Sequence, residues 1–163
     1  MFPNKMTTRA ACIERYGKID FQRRRWDHQN LWLARVEIPE GWFPHWHGPD
    51  GVLVSHLTVN VDMERPLLDA LKAVHENGLG DLLKTYDGCF NIRMVRGTND
   101  MFSAHSYGLA IDINADENPL GATHGGFYDH PEFVKCFTDQ GFASGCHFHG
   151  RKDPMHFSYC WEG

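Results

Sequence analysis

A histidine and an aspartate lie seven residues apart, with one glycine between them, and this stretch constrains the chain more than any other. It reads S-A-H-S-Y-G-L-A-I-D-I-N over residues 103–114. Apolar residues alternate with small or polar ones from residue 109 onward, which predicts a half-buried strand that carries Asp112. Gly108 allows the turn before that strand, and His105 lies on the turn. An imidazole and a carboxylate placed in this way can bind one cation together.

A second histidine and aspartate lie close together in Asp153-Pro154-Met155-His156-Phe157. Catalytic zinc takes three protein ligands from histidine and carboxylate side chains and keeps a fourth position for water, which then ionises near neutral pH. Three residues could supply that set: His105, Asp112 and His156. Asp153 comes three residues before His156, so it can lie beside the metal and carry a proton from the water to a leaving amine. Burial would raise the pKa of Asp153, whereas a nearby cation would lower it.

Composition and charge argue against several classes of protein. The chain of 163 residues suits one domain, and its five cysteines include no C-x-x-C pair, which argues against a zinc ribbon and a disulfide framework. A formal net charge of −5 disfavours nucleic acid as the main partner. No apolar stretch reaches the roughly 20 residues of a membrane span, and residues 1–8 lack the apolar core of a signal peptide. We therefore expect a protein made in the cytoplasm, and we expect a monomer.

Hydrophobic periodicity predicts an α+β domain whose sheet is mostly antiparallel. The most regular helix should have Asp62 as its N-cap and end at Asn77-Gly78, a common C-terminal stop. Residues 1–30 show no clear period. Arg93 should lie on the polar face of a strand, as a site residue or an ion-pair partner. Strands are predicted over 31–38 and 52–61, and these two should pair antiparallel across a loop. Further strands are predicted over 89–95, 109–114 and 155–161. A second helix is predicted over 132–140, and loops are predicted over 115–129 and 142–150.

The two motifs together resemble a known family. The pattern S-x-H-x-x-G-x-A-x-D over residues 103–112, followed by an acid three residues before a final histidine, is similar to that of zinc D-Ala-D-Ala carboxypeptidases and L-Ala-D-Glu endopeptidases. That family includes VanY-type enzymes and single-domain phage endolysins, and the segment 86–93 resembles the endolysin-like branch. The similarity covers roughly residues 67–159. It implies the small α+β zinc-peptidase fold shared with the hedgehog signalling domain, in one domain over 1–163 with a core motif region of about 62–161.

The resemblance also implies roles for individual residues. It implies one catalytic zinc ion with three ligands, His105, Asp112 and His156. Asp153 would be the general base and acid. Arg93 or Arg96 would bind a substrate carboxylate or stabilise the oxyanion of the tetrahedral intermediate, and Arg93 is favoured because it lies in the matching segment. Ser103 would hydrogen-bond around the site without binding the metal. The loop over 141–150 departs from relatives that often carry a tryptophan there.

The function expected from the resemblance is hydrolysis of peptidoglycan stem peptides by a zinc peptidase. Cleavage between L-Ala and D-Glu is preferred, because a single domain without a signal peptide resembles phage endolysins; D-Ala-D-Ala carboxypeptidase activity is the alternative. A zinc-binding domain of this fold without turnover is an alternative from another class, and the presence of Asp153 argues against it. A phage enzyme of this kind would reach the cell wall after release or through a holin-type opening.

Other candidate sites carry less weight. The pairs His45-Trp46-His47 and His147-Phe148-His149 could bind a metal, but both lie in loops and are interpreted as cleft or surface histidines. The segment after Asp112 begins like a calcium loop but lacks the glycine and the glutamate of an EF-hand. Cys146 is a weaker candidate for a nucleophile than the metal site. Four tryptophans are interpreted as core or loop anchors rather than as a sugar platform: Trp26, Trp32, Trp42 and Trp46.

Overall fold

Short helices and short strands alternate along the chain, which confirms the α+β class. The computed structural model describes residues 2–162. The helices are α1 (Arg9–Tyr16), α2 (Gln29–Trp32), α3 (Val61–Glu76) and α4 (Pro131–Thr138). The strands are β1 (Leu33–Glu37), β2 (His56–Asn60), β3 (Ala110–Asp112), β4 (Ala143–Gly145) and β5 (Asp153–Ser158), and 3-10 turns cover Gly80–Leu82, Ala104–Tyr107 and Gly126–Asp129. Within residues 2–162, no helix has both the length and the apolar character needed to cross a membrane.

Helix α3 ends where the sequence predicts but has a different N-cap. It stops at Asn77, and Gly78 follows with a φ of +69°, a left-handed conformation that suits glycine. The N-cap is Asn60, whose side chain accepts a hydrogen bond from the Asp62 amide at 2.9 Å. Asp62, the predicted cap, instead accepts hydrogen bonds from Arg15 at 2.6 Å and from the Tyr16 hydroxyl at 2.7 Å. The acid therefore attaches α1 to the start of α3.

The first sheet confirms the predicted antiparallel pair, with shorter strands. Leu33 of β1 is opposite Asn60 of β2, and Val36 is opposite Leu57. Strand β1 begins at residue 33 rather than 31 because the preceding residues form the helical turn α2. Asn60 also reaches beyond this sheet: its amide and its side chain donate to the carbonyls of Gly108 and Tyr107, each at 2.9 Å.

The second sheet has the order β3-β5-β4, with antiparallel neighbours. Its strands β3 and β5 confirm the strands predicted over 109–114 and 155–161, although β3 is shorter and β5 runs from Asp153 to Ser158. The loop prediction over 142–150 is wrong in part, because β4 lies within it. The strand prediction over 89–95 is wrong: that segment wraps around the Ala104–Tyr107 turn, where the Asn91 amide donates to the His105 carbonyl at 3.0 Å. Its polar groups are therefore bonded to a turn instead of to a neighbouring strand.

One buried cluster of apolar residues runs through both sheets and the helices. Phe133 and Phe137 of α4 pack on Phe157 of β5, and the ring centroids of Phe137 and Phe157 are 4.4 Å apart. Among the tryptophans, Trp26 and Trp46 are buried, which supports the core interpretation, while Trp32 and Trp42 pack at the edge of the core. The aperiodic N-terminal region contributes α1, capped by the Thr8 hydroxyl. This packing fixes β3 and β5 as neighbours at the base of a cleft.

Candidate metal centre and cleft

His105 lies on the Ala104–Tyr107 turn, as predicted, and its ring is buried. The Ser103 hydroxyl caps this turn by accepting a hydrogen bond from the His105 amide at 3.3 Å. The turn ends at Gly108, whose φ is +68°, and a Cβ there would press against the Asn60 amide and the Leu33 side chain. The His105 Nδ1 atom lies 2.7 Å from the Cys89 carbonyl, which can only accept. The proton is therefore on Nδ1, and Nε2 carries the lone pair.

Asp112 and His156 come together because their strands pair. They are opposite each other in the register of β3 and β5. The His156 Nδ1 atom is 3.1 Å from one carboxylate oxygen of Asp112, and the His105 Nε2 atom is 3.2 Å from the other. One ligand atom from each of these three residues falls within 4.8 Å of the others, and no further group of this kind occurs within residues 2–162. The structure thus brings together the three residues that the sequence singles out.

The surroundings of these atoms fit a bound cation. His105 Nε2 is buried and has no hydrogen-bond partner, although it lies 3.2 Å from a carboxylate oxygen of Asp112. A cation bound to both residues would give this nitrogen a partner. The two nitrogens lie 3.1 and 3.2 Å from the two oxygens of the Asp112 carboxylate, so one ion could contact all three side chains. The two nitrogens and one carboxylate are also a donor set that suits zinc.

Charge at the centre is balanced between the carboxylate and the two imidazoles. Burial alone would raise the pKa of Asp112, but the neighbouring His105 and His156 outweigh burial and hold that pKa far below its ordinary value. Burial alone would lower the pKa of His156, but Glu162 and Asp112 outweigh it and raise that pKa well above its ordinary value. Without a cation, a proton on His156 Nδ1 therefore occupies the side of the ring that faces Asp112.

Asp153 begins β5 and lines the cleft beside His156. Regular pairing would place His156 opposite Gly145, but the register shifts, and Gly145 is opposite Asp153. This bulge in β5 lets Asp153 and His156 line the same cleft although they are three positions apart, a spacing that places side chains on opposite faces of a regular strand. A Cβ at Gly145 would overlap the Asp153 carbonyl, so the close approach requires glycine. One carboxyl oxygen of Asp153 is buried without a partner, and burial raises the pKa of this group although His156 opposes the shift.

The comparison with protein families agrees with this geometry. Residues 96–159 match the family model described as D-alanyl-D-alanine carboxypeptidase. This part of the chain is therefore similar to that peptidase family. The match confirms the predicted resemblance, and it spans His105, Asp112, Asp153 and His156. No curated protein and no solved structure matches the chain.

Three arginines line the cleft beside the candidate metal centre. Arg93 and Arg96, predicted from the sequence, are joined by Arg151 from the loop before β5. The Arg151 guanidinium donates to the Arg96 carbonyl at 2.8 Å, which links the two loops. Within residues 2–162, none of the three guanidinium groups forms a salt bridge, so positive charge faces the cleft although the chain is acidic overall. Phe148 and Leu120 supply apolar lining, and the Phe148 ring lies 6.0 Å from the His156 ring.

Sequence reasoning missed Arg151 and one further acid, Glu162. Glu162 lines the cleft, and its Oε2 atom is 2.6 Å from His156 Nε2. Arg151 is adjacent to the second motif, and its charge was a signal that could have pointed to it. Glu162 lies beyond both motifs in a segment without regular structure, where no periodic pattern indicates which way a side chain faces.

The weaker candidates from the sequence are engaged in structural contacts. His45 is exposed and lies 3.5 Å from Asp81, and the His47 ring bonds to the His45 carbonyl. The two rings therefore have separate partners and do not form a shared metal site. The Asn114 side-chain oxygen accepts from the amides of Lys84 and Thr85 and is not free for calcium. Burial raises the pKa of Cys146, which keeps its thiol protonated and unsuited to nucleophilic attack.

Proposed function

We propose that the protein is a zinc-dependent peptidase that hydrolyses the stem peptides of bacterial peptidoglycan, as one catalytic domain over 1–163 with a hedgehog-like fold. The observation that carries the proposal is the meeting of His105, Asp112 and His156 around one point beside the buried carboxyl of Asp153. The family match over residues 96–159 supports a peptidase of the D-alanyl-D-alanine carboxypeptidase type.

In this proposal the cation is held by His105 Nε2, the Asp112 carboxylate and His156 Nδ1. When bound, zinc lowers the pKa of water and polarises a carbonyl group, which a peptidase requires. The burial that raises the pKa of Asp153 favours its taking a proton from water and passing it to the leaving amine. Because its buried oxygen has no partner in the protein, that atom is free to bond to water or substrate.

The arginines give the cleft a preference for negative charge. Arg93, Arg96 and Arg151 could bind a substrate carboxylate or stabilise the oxyanion that forms during amide hydrolysis. A terminal D-Ala-D-Ala bond has a free carboxylate on the residue after the cleaved bond. The L-Ala-D-Glu bond has one as well, because D-Glu continues the stem through its side chain. The arginine-lined cleft therefore supports both specificities, and we retain L-Ala-D-Glu endopeptidase as the first and D-Ala-D-Ala carboxypeptidase as the second.

Digestion of purified cell walls tests the proposal. The zinc-loaded protein, the chelator-treated protein and the Asp153→Ala variant are incubated with walls, and the released peptides are identified by mass spectrometry. We expect release only with the zinc-loaded wild type. New L-Ala and D-Glu termini would indicate the endopeptidase, whereas free D-Ala would indicate the carboxypeptidase. No release by fully metallated protein would overturn the enzyme and leave the zinc-binding domain without turnover.

A further inference from the structure

We propose that Glu162 is a positioning residue for the metal centre: its carboxylate holds the His156 ring so that Nδ1, and not Nε2, faces Asp112 and the cation. The inference rests on the proposed metal site and adds to it a residue outside both sequence motifs. It concerns the orientation and donor strength of one ligand, which can be measured apart from hydrolysis.

The first support is the arrangement of two carboxylates around one ring. Glu162 Oε2 lies 2.6 Å from His156 Nε2, and Asp112 Oδ1 lies 3.1 Å from His156 Nδ1. An ionised carboxylate only accepts hydrogen bonds, so Nε2 must carry a proton that it donates to Glu162. A neutral imidazole has one such proton. When a cation replaces the proton on Nδ1, the remaining proton stays on Nε2, and the lone pair of Nδ1 faces the metal.

The position of Glu162 argues against a direct role as a fourth ligand. Its close contact is with Nε2, on the edge of the His156 ring that does not face Asp112. The group of metal-ligand atoms accordingly contains His105, Asp112 and His156 without Glu162. The Glu162 side chain is only 17% exposed, and that of His156 only 5%, so the charge of Glu162 acts on the ring with little screening by water.

The segment that carries Glu162 is fixed by packing. The neighbouring Trp161 ring meets the Phe102 ring edge to face, with centroids 5.6 Å apart, and the Arg9 guanidinium lies 5.0 Å from the Trp161 ring. Arg9 also donates to the Phe102 carbonyl at 3.0 Å. These contacts connect α1 to the residue before Glu162, so the carboxylate is held beside His156 by the core of the protein.

The contact with Glu162 also affects the donor strength of the His156 ring. The Glu162 carboxylate accepts the Nε2 proton at 2.6 Å, and both side chains are largely shielded from water. A negative carboxylate that accepts the Nε2 proton makes the opposite nitrogen a stronger donor to a metal. Partners of this kind typically change metal affinity by 10–100-fold.

The test compares Glu162→Ala and Glu162→Gln with the wild type in a zinc competition titration against a chromophoric chelator. Alkaline pH is used because protons then compete least for Nδ1. We expect the affinity of Glu162→Ala to fall by about 10–100-fold. Glu162→Gln should lose less, because its amide oxygen can accept the same proton without the charge. Glu132→Ala is the matched control, since Glu132 faces His130 at 3.4 Å in an exposed pair, and its affinity should equal that of the wild type.

A spectroscopic measurement addresses the ring directly. Long-range proton–nitrogen NMR of the zinc-loaded wild type should show His156 bound through Nδ1 with a proton on Nε2. The cobalt-substituted Glu162→Ala protein should show an altered visible absorption band, and Glu162→Gln a band close to the wild type. Binding of the metal through Nε2 in the wild type would overturn the proposal.

The outcomes separate this inference from the proposed function. Zinc that binds tightly through His105, Asp112 and His156, with equal affinity in wild type and Glu162→Ala, would overturn the positioning role and leave the peptidase intact. A wild type that binds no zinc would overturn both. Tight, stoichiometric zinc without wall cleavage would overturn the peptidase alone, and the affinity ratio would still decide the role of Glu162. If Glu162→Ala failed to fold by circular dichroism, Glu162→Gln would decide: a zinc affinity equal to wild type, in a protein whose His156 Nε2 proton is not hydrogen-bonded, would overturn the proposal.

Discussion

His105 and His156 contact the two oxygens of the same carboxylate, yet the chain orients the two rings by different means. His105 is on a 3-10 turn, and its far nitrogen bonds to the backbone carbonyl of Cys89 at 2.7 Å. His156 is on a strand, and its far nitrogen bonds to the side-chain carboxylate of Glu162 at 2.6 Å. A backbone carbonyl survives every substitution at its position, whereas a carboxylate is lost with one. The orientation of His105 therefore does not depend on the side chain at residue 89, whereas the orientation of His156 depends on the side chain of Glu162.

Removal of either ring should produce the largest effect. His105→Ala and His156→Ala should each lower zinc affinity by more than about 100-fold and reduce hydrolysis to background, because each removes a proposed ligand. Their stabilities should differ in the metal-free state. His156→Ala leaves the buried Glu162 charge unpaired, which costs about 3–5 kcal/mol, while His105→Ala leaves one carbonyl unpaired, at about 1–3 kcal/mol.

Zinc titration and denaturant unfolding measure these two effects. Stoichiometric, tightly bound zinc in either variant would contradict the ligand assignment. Equal losses of unfolding free energy would show that the Cys89 carbonyl and the Glu162 carboxylate contribute equally to stability, contrary to the expected difference.

Loss of the proton carrier should separate chemistry from binding. Asp153→Ala should lower the rate of peptide release by about 10²–10⁴-fold, the usual contribution of a general acid–base, while zinc still binds in a one-to-one ratio. Initial rates on soluble wall fragments, together with metal analysis, check this. Wild-type rates in the variant would mean that another group carries the proton.

Substitution of the cleft arginines tests whether they bind a substrate carboxylate. Arg96→Ala and Arg151→Ala should each lower kcat/KM by about 10–100-fold if the guanidinium bonds to a substrate carboxylate, since such charged hydrogen bonds contribute about 1.5–3 kcal/mol. Arg65→Ala, on the exposed face of α3, is a control for charge alone. Steady-state kinetics on a wall fragment that contains the carboxylate, and on the same fragment with an amide in its place, would measure the effect of each arginine. An unchanged kcat/KM for Arg151→Ala would show that Arg151 does not bind the substrate carboxylate.

Cys89 offers the most direct contrast with Glu162. Cys89→Ala removes a buried thiol but keeps the carbonyl that orients His105, so zinc affinity should change little. The free energy of unfolding should fall by about 1 kcal/mol, as is usual for a small buried deletion. A competition titration and a urea unfolding curve measure the two effects. A loss of zinc affinity as large as that of Glu162→Ala would show that the Cys89 carbonyl alone does not keep His105 oriented.

The smallest effect concerns stability and pH. Burial raises the pKa of Asp153 in the folded protein, so the folded state holds its proton more tightly than the unfolded state and loses stability as pH rises through the raised pKa. Asp153→Asn has no such penalty. In chelator-treated protein its melting temperature should exceed that of the wild type by about 2 °C near pH 7, equivalent to about 0.5–1 kcal/mol, with no difference below the ordinary aspartate pKa. Equal melting temperatures at both pH values would contradict the burial argument.

The centre was predictable because its residues lie at fixed positions in two short motifs. The alternation around Asp112 indicated the strand, and Gly108 indicated the turn that carries His105, so local pattern was enough. The segment 89–95 shows the limit of that reasoning. Its period of two suits a strand, but its amides bond to the His105 turn, and periodicity does not specify the bonding partner.

Elements that depend on distant partners were not predictable. Strand β4 has three residues, Ala143–Gly145, too few for a period, and it exists because β5 lies beside it. The Arg151 contact with the Arg96 carbonyl and the contact of Glu162 with His156 likewise depend on how loops pack after the sheet has formed. A single sequence contains no local signal for such contacts.

Asn60 connects the family-matched residues 96–159 to chain outside the match. This residue caps α3, ends β2 and donates twice to the carbonyls at Tyr107 and Gly108, next to the turn that carries His105. Residues 96–159 account for the family match, yet they contain neither Asn60 nor the Cys89 carbonyl. A fragment limited to the matched residues would lack both anchors of the first histidine. The family match therefore covers the candidate ligands, whereas two of the contacts that hold the turn of His105 come from chain outside the match.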